Sequence, residues 1–389
     1  ACANLNEMLL AAARNQRFSR QARASTNDEA ARVRQLFAAS RRIRDTYNRE
    51  LSGGKWNHLM DQTYLGYFDW QEPIADAPPP VTELDLPDVA RFGVCVEGSP
   101  LAWPGFYLPP TLPAFDGLLQ DEHWFEVFPR GRRAIQVEVK ADQPWIQLKP
   151  APAFSAGPQD QRYVAAIDWA RVPAGTIAGS ITVSDGNTRV RIGLNLLPST
   201  AQQRQEARGA WGSLAAPFSI PAEGFERQTA ADGVSWQPLP DYGRVPVALT
   251  PWPANARSFA DPRRAPRLQY PIYVGRAGDY NFDLITAPTL RVDPGQQLGV
   301  ALWIDEGQPV IKEVFNPEER ETQEFLGRMH DFNARADMRV MKFRLRIDAP
   351  GRHVLHVGMI DPGLVLQQIL VYRDRLPPSY FGPPPQRIA

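Results

Sequence analysis

Ile181-Thr182-Val183-Ser184-Asp185-Gly186-Asn187-Thr188-Arg189-Val190-Arg191-Ile192-Gly193-Leu194-Asn195-Leu196 is the stretch on which the fold turns. Val190, Ile192, Leu194 and Leu196 alternate with Arg189, Arg191 and Asn195, the period of two of a strand with one buried face. Ile181-Thr182-Val183 is a second short β-branched run. Asp185-Gly186-Asn187 between the two reads as a hairpin turn, where glycine accommodates a positive φ. Two antiparallel strands with no helix between them point to an antiparallel sheet.

The same period recurs outward on both sides. Ile135, Val137 and Val139 alternate with Gln136 and Glu138, and strands are expected at 124–128, 145–148 and 163–167. After a polar, irregular stretch at about 198–215, read as a linker, a second β region follows. Its expected strands are 268–274, 280–285, 298–304, 310–314, 340–347, 353–360 and 364–372. Met341, Phe343, Leu345 and Ile347 alternate with Lys342, Arg344 and Arg346, and Ala349-Pro350-Gly351 turns that strand into the next. One helix is expected inside this region. Asn316 would cap it, Pro317 would take its first position, and Glu318 and Glu319 suit its positive end. Phe325, Leu326, Met329 and Phe332 would form its apolar face.

The N-terminal residues to about 52 have the helical period instead. Leu5, Met8 or Leu9, and Ala12 or Ala13 recur at three-to-four spacing. A second helix opens with a capping box, Thr26 capping while Glu29 reaches back. Val33, Leu36, Phe37, Ser40, Ile43, Tyr47 and Leu51 share one face, and Gly53-Gly54 ends the helix. Two such helices have an apolar stripe without a core and must pack on another element. Pro78-Pro79-Pro80 then reads as an extended linker. The expected fold is therefore mainly β with an N-terminal helical segment: a helical hairpin followed by two antiparallel β-sandwiches. The expected domains are 1–80, 81–205 and 206–389.

Composition narrows the function. Lys+Arg 43 against Asp+Glu 43 leaves net charge +0, which excludes a nucleic-acid or anionic-membrane partner read by bulk charge. No apolar stretch is long enough to span a membrane. Proline, 38 of 389 residues, suits short strands and rigid turns. Cys2 and Cys95 cannot make a disulfide framework or a four-ligand zinc site, and a single bridge between the two stays open without support from the sequence. Lysine occurs only at 55, 140, 149, 312 and 342, a usage that suggests a GC-rich bacterial source. Ala1 stands at the head of a helical pattern with no signal peptide before it, so the chain is expected to have lost an N-terminal part.

Motifs for a nucleophile elbow, a zincin, a phosphate loop or a dinucleotide fold are absent from the sequence. His353 and His356 lie three apart on an expected strand and so face opposite ways, unable to share an ion. Asp305-Glu306 and Asp121-Glu122 are adjacent pairs that diverge rather than converge on one bond. No metal or cofactor is expected. The most informative polar cluster is His58 with Trp56, Asn57 and Gln62. Rings stack on sugar C–H faces and amides bridge hydroxyl pairs, so the cluster suits a carbohydrate. It suits better still a plug that seats the helical pair on a neighbouring domain. Trp103, Trp145, Trp169, Trp211, Trp236, Trp252 and Trp303 suit core or inter-domain packing better than binding platforms.

The stretch 54–67 (Gly-Lys-Trp-Asn-His-Leu-Met-Asp-Gln-Thr-Tyr-Leu-Gly-Tyr) followed by Trp70-Gln71-Glu72-Pro73 resembles a signature of glycoside hydrolase family 115. The resemblance continues at Pro144-Trp145-Ile146, Asp168-Trp169 and Pro173-Ala174-Gly175. It is strongest at Pro350-Gly351-Arg352-His353, at 359–369 (Met-Ile-Asp-Pro-Gly-Leu-Val-Leu-Gln-Gln-Ile), and at 378–384 (Pro-Ser-Tyr-Phe-Gly-Pro-Pro). The family comprises xylan α-1,2-glucuronidases, whose catalytic carboxylates sit on an N-terminal (β/α) barrel. A barrel needs about 250 residues of alternating strand and helix, a pattern this sequence lacks. The resemblance therefore implies the accessory C-terminal half of such an enzyme, not catalytic alone. Its expected partners are a catalytic barrel on the same or a separate polypeptide, xylan or glucuronoxylan, and a second copy in a homodimer. It also implies a periplasmic or secreted location and a substrate-binding role for Trp56, Asn57, His58, Gln62, Tyr64 and Trp70. Tyr64 departs from the signature, where histidine is usual. The alternative is a free-standing, non-catalytic carbohydrate-binding protein.

Overall fold

A computed structural model describes residues 1–66, 73–215, 217–314, 333–376 and 379–389. The chain forms two units: Ala1–Phe115 with Asp121–Leu196, and Asp116–Gln120 with Leu197–Ala389.

The first unit opens with helices α1 (Cys2–Arg20) and α2 (Thr26–Asp45). Met8, Ala11 and Ala12 of α1 meet Val33 and Leu36 of α2 in a small core closed by Leu65. Met8 and Val33 are wholly buried, each contributing about 1.5–3 kcal/mol by the usual area scaling. Ile43 and Leu51, expected on the same stripe, are exposed. Past Asp45 the chain changes to a π turn (Thr46–Glu50) and a 3-10 turn (Leu51–Gly54), which takes Leu51 out of the register of the α2 stripe.

The expected capping box at Thr26 does not form. Ser25 is the N-cap residue and makes no side-chain cap, while Thr26 donates to the Arg23 carbonyl. Glu29 is buried and accepts from the Ala156 backbone N–H at 2.8 Å. A long-range backbone donor has outcompeted the local one. Buried asparagine Asn15 and its neighbour Asn27 clamp the extended segment 82–84, pairing with the backbones of Thr82 and Leu84 as a strand edge would.

The strands of this unit are β1 (Phe92–Val96), β2 (Phe115–Asp116), β3 (Glu122–Pro129), β4 (Glu138–Ala141), β5 (Ile146–Ala151), β6 (Gln161–Ile167), β7 (Ala178–Ser184) and β8 (Arg189–Leu197). They make two four-stranded sheets, β1-β3-β6-β5 and β2-β8-β7-β4. β7 and β8 pair antiparallel from Ala178↔Asn195 to Ser184↔Arg189, the hairpin read from the sequence. Val190, Ile192, Leu194 and Leu196 point into a core with Phe115, Phe125, Val127 and Trp145. Of the expected 135–139 strand only its end joins the sheet, as β4; Ile135 and Val137 still pack on the core.

What the helices pack on is this sandwich. Arg23, in the turn between α1 and α2, is fully buried and bonded to Glu126 of β3 and to Asp160, both at 2.7 Å. Its guanidinium lies over the rings of Phe18 and Phe128, 4.1 and 4.6 Å from their centroids. Glu126 is also held by Arg162 of β6 at 2.6 Å. Burial pushes the Glu126 carboxyl up, but Arg23 and Arg162 outweigh it and hold it below its ordinary value.

The second unit contains α3 (Ala201–Ala207), β9 (Trp211–Ser213), β10 (Phe218–Pro221), β11 (Arg227–Thr229), β12 (Ser235–Pro240), β13 (Val247–Trp252), β14 (Arg267–Val274), β15 (Gly278–Thr286), β16 (Gly299–Ile304), β17 (Val310–Glu313), β18 (Arg339–Ile347), β19 (Gly351–Met359) and β20 (Leu366–Tyr372). One sheet runs β12-β13-β20-β15-β18 with β10 also on β20; the other runs β11-β14-β19-β16-β17 with β9 on β14. β9 runs parallel to its neighbour β14, whereas the other strand pairs found among the described residues of this unit are antiparallel. The core between the sheets includes Trp236, Tyr270, Phe282, Leu302, Phe343 and Ile369. Met341, Phe343, Leu345 and Ile347 are buried in strict alternation with exposed neighbours, as expected.

The stretch 198–215 is not a linker. Thr200 and Gln203 make a complete capping box for α3, with bonds of 3.1 and 2.8 Å. Ala207 and Ala210 are fully buried beside Tyr273 and Ile388. The helix expected from Asn316 lies outside the described residues. Among the described residues no helix is long and apolar enough to cross a membrane.

Candidate functional site

The loop after the helical pair carries the candidate site, and its order comes from residues the sequence did not single out. Gly54 has φ +81°, so the chain leaves the helix in the left-handed region that glycine favours. Asn48, buried on the last turn, donates to Asp61 Oδ1 at 2.7 Å and accepts from the Met60 backbone at 3.0 Å. Asp61 Oδ2 then meets His58 Nδ1 at 2.5 Å, and the other His58 nitrogen stands 3.2 Å from the Asn57 amide. Asn48, Asp61, His58 and Asn57 form one chain of polar contacts ending in solvent. Asp76 Oδ1 closes the loop by accepting from the backbone N–H groups of Tyr64 and Leu65, both at 2.9 Å.

Asn57, His58 and Gln62 are therefore exposed on one short loop, with Trp56 half-buried beside them. Lys55 Nζ lies 4.8 Å from the centre of the Trp56 ring. Tyr64 is partly exposed, and its hydroxyl bonds to Ser40 Oγ of α2. Trp70 lies outside the described residues. Asn48 and Asp76 carried no sequence signal, because an asparagine at a helix end and an aspartate in a loop are each commonplace. Their bonds to Asp61 and Met60, and to the Tyr64 and Leu65 backbone, form only once the chain is folded.

The other candidates resolve into structural roles. His353 is bonded to Asp305 Oδ2 at 2.6 Å, while His356 is buried and stacked on Trp303 at 4.7 Å, so the two histidines diverge. Asp305 has φ +49° in a turn. Asp121 lies 3.5 Å from His123, whose other nitrogen is 3.3 Å from Glu97. Trp103, Trp145, Trp211, Trp236 and Trp303 are buried, whereas Trp252 is 57% exposed at the end of β13. Both cysteines are free, Cys2 exposed and Cys95 buried. Burial pushes the Cys95 thiol up to about 11, with Glu126 adding to the effect, so it is an inert thiol. Among the described residues no three His, Cys, Asp or Glu side chains gather in a geometry fit for a metal ion.

No curated protein matches the chain. Among solved structures, the chain is similar to the 4-O-methyl-α-glucuronidase BtGH115A, at 15% identity over 39% of this chain and 18% of that one, with a TM-score of 0.27. It is similar to a family 35 carbohydrate binding module from Clostridium thermocellum, at 13% identity over 40% of this chain and 98% of that one, TM-score 0.27. It is also similar to the module CBM6cm-2 from Cellvibrio mixtus lichenase 5A, at 14% identity over 40% and 97%, TM-score 0.25. The match thus spans about a fifth of the BtGH115A chain. Residues 217–385, nearly the whole of the second sandwich, match the Glycosyl hydrolase family 115 C-terminal domain. Over those residues, under half of its length, this chain is similar to that family's C-terminal domain.

Proposed function

We propose that this chain is an accessory, non-catalytic part of a family 115 glycoside hydrolase, which supports a separate catalytic barrel and helps it engage a glucuronoxylan substrate. The observation that carries the proposal is the match of residues 217–385 to the family's C-terminal domain. The two β-sandwiches supply rigid scaffolding, and the loop bearing Trp56, Asn57, His58, Gln62 and Tyr64 supplies ring and amide groups of the kind that hold sugars. Trp70 belongs to the same proposed rim. Leu9 and Leu10, about half exposed on α1, together with Ile43 on α2, offer apolar surface for the barrel to cover. A second copy of the chain is the competing occupant of that surface.

Glucuronic acid release from glucuronoxylan is the test. The chain alone should release none, and turnover by the purified chain would overturn the proposal. Mixing it with a family 115 barrel should restore a stable complex on size-exclusion chromatography. A dimer of the chain that persists in place of that complex would assign the surface to self-association.

A second reading, direct glycan binding by the chain on its own, is favoured by Phe106 and Tyr107. Their ring centroids are 4.9 Å apart, and Tyr107 is 85% exposed, a poor position for packing. Affinity electrophoresis on xylan would show retardation that Tyr107→Ala reduces and Trp56→Ala does not.

A further inference from the structure

Where β14 turns into β15 and where β20 ends, three arginines line one cleft. Arg276 lies in the β14–β15 turn, and Arg373 and Arg375 follow directly on β20. Pro217, Tyr280 and Tyr372 complete the walls of a cavity of about 250 Å³. That lies just under the ~300 Å³ at which ordinary ligand pockets begin, so the cleft suits a compact molecule.

The arginines are positioned rather than scattered. Tyr280 donates its hydroxyl to the Arg276 carbonyl at 2.7 Å, and the Asn281 amide donates to the Arg373 carbonyl at 2.8 Å. Two neighbouring side chains of β15 thus fix the backbones from which both guanidinium groups project. Gly278, at φ +139°, leaves room for Arg373, since a Cβ there would stand 3.0 Å from Arg373 Nη2. The Arg373 guanidinium lies 5.6 Å from the centre of the Tyr280 ring.

Three cations share the cleft with one carboxylate, Asp374, and among the described residues none of the three arginines forms an ion pair. Elsewhere exposed arginines of this chain do find partners: Arg34 with Glu83, Arg133 with Asp88, Arg257 with Asp232. An oxyanion entering a cleft lined by guanidinium groups gains their charge, and their planar forks match a carboxylate edge on.

We infer that this cleft binds the carboxylate of a compact sugar acid, with Arg276 and Arg373 gripping the carboxylate and Arg375 adding charge at the rim. The oxyanion part of the inference stands on the arginines; the sugar part rests on the proposed function. Inorganic phosphate shares the oxyanion chemistry and is the control for it.

Titration calorimetry of the full chain with glucuronate, glucose and inorganic phosphate tests the assignment. Glucuronate should bind, and neutral glucose should bind at least about tenfold more weakly, the scale of one charge-assisted contact. Raising salt should weaken glucuronate binding. Arg276→Ala with Arg373→Ala should lose about tenfold or more while circular dichroism and melting stay unchanged, since both side chains are exposed. Arg373→Lys, which keeps the charge and loses the fork, should fall between. No glucuronate binding, equal affinity for glucose, or full affinity in the double variant would each overturn the inference. Phosphate binding as tight as glucuronate would overturn the sugar-acid assignment. None of these outcomes bears on whether the chain assembles with a barrel, so failure here and failure of the proposed function remain separate results.

Discussion

Arg23 and the Arg276–Arg373–Arg375 group are the same residue type in opposite circumstances. Arg23 is fully buried between two carboxylates and two aromatic rings, every direction of its guanidinium occupied. The three cleft arginines are exposed, line one open cavity and pair with no carboxylate among the described residues. A buried cation must be neutralised by the fold or the fold fails, whereas an exposed one can wait for a ligand because water screens it meanwhile. The first arginine belongs to stability and the second group to recognition.

The largest expected effect breaks the buried side of that contrast. Arg23→Leu leaves Glu126 and Asp160 without their shared cation and should cost about 3–5 kcal/mol, read as a lower denaturation midpoint. Exchange of the α1 and α2 amides should accelerate with it. If Arg23→Leu melts within a degree of the parent, the buried network is not what seats the helices. Glu126→Gln comes next. It removes the charge that Arg23 and Arg162 share while keeping shape, so the loss should be smaller than for Arg23→Leu. Because Glu126 is held below its ordinary value, its stabilisation is present above about pH 4.3 and fades as pH falls through the folded value. An acid limb that is unchanged in Glu126→Gln would contradict this.

His123 stands between the two extremes, a half-buried cation with two partners. Burial opposes its charge, but Asp121 and Glu97 outweigh burial and push its pKa up to about 9. A raised value means the stabilisation is full below about pH 6.5 and is lost as pH climbs toward 9. Melting temperature should therefore decline across that window in the parent, and His123→Gln should flatten the decline. The smallest expected effect lies in the cleft: Arg276→Ala should change stability by less than about 0.5 kcal/mol, measured by urea denaturation. A larger loss would return that arginine to the structural class and dissolve the contrast.

Some of this fold was legible before any coordinates. The β7–β8 hairpin, the alternation along β18 and the two-helix start all follow from periods of two and 3.6 that need only neighbouring residues. Capping was legible in form and misplaced in position. Thr26 and Glu29 have the capping-box spacing, yet Glu29 is drawn to Ala156; Thr200 and Gln203 have it too and use it. The spacing is identical and only the competition differs. At the candidate site, Trp56, Asn57 and His58 were visible as residue types, whereas Asn48 and Asp76, which hold the loop, were not.

By itself the sequence determined the alternation of the strands, the turns between them and the amphipathic helices, because a backbone's local period depends on residues a few positions apart. Tertiary structure alone decided which arginine is a keystone and which is free. Arg23 meets Glu126 across 103 positions, and Arg276 and Arg373 line one cleft because β15 and β20 pair side by side. Charge leaves no trace in sequence of the distance at which it will be neutralised; Coulomb energy depends on separation in space, and separation is what folding creates.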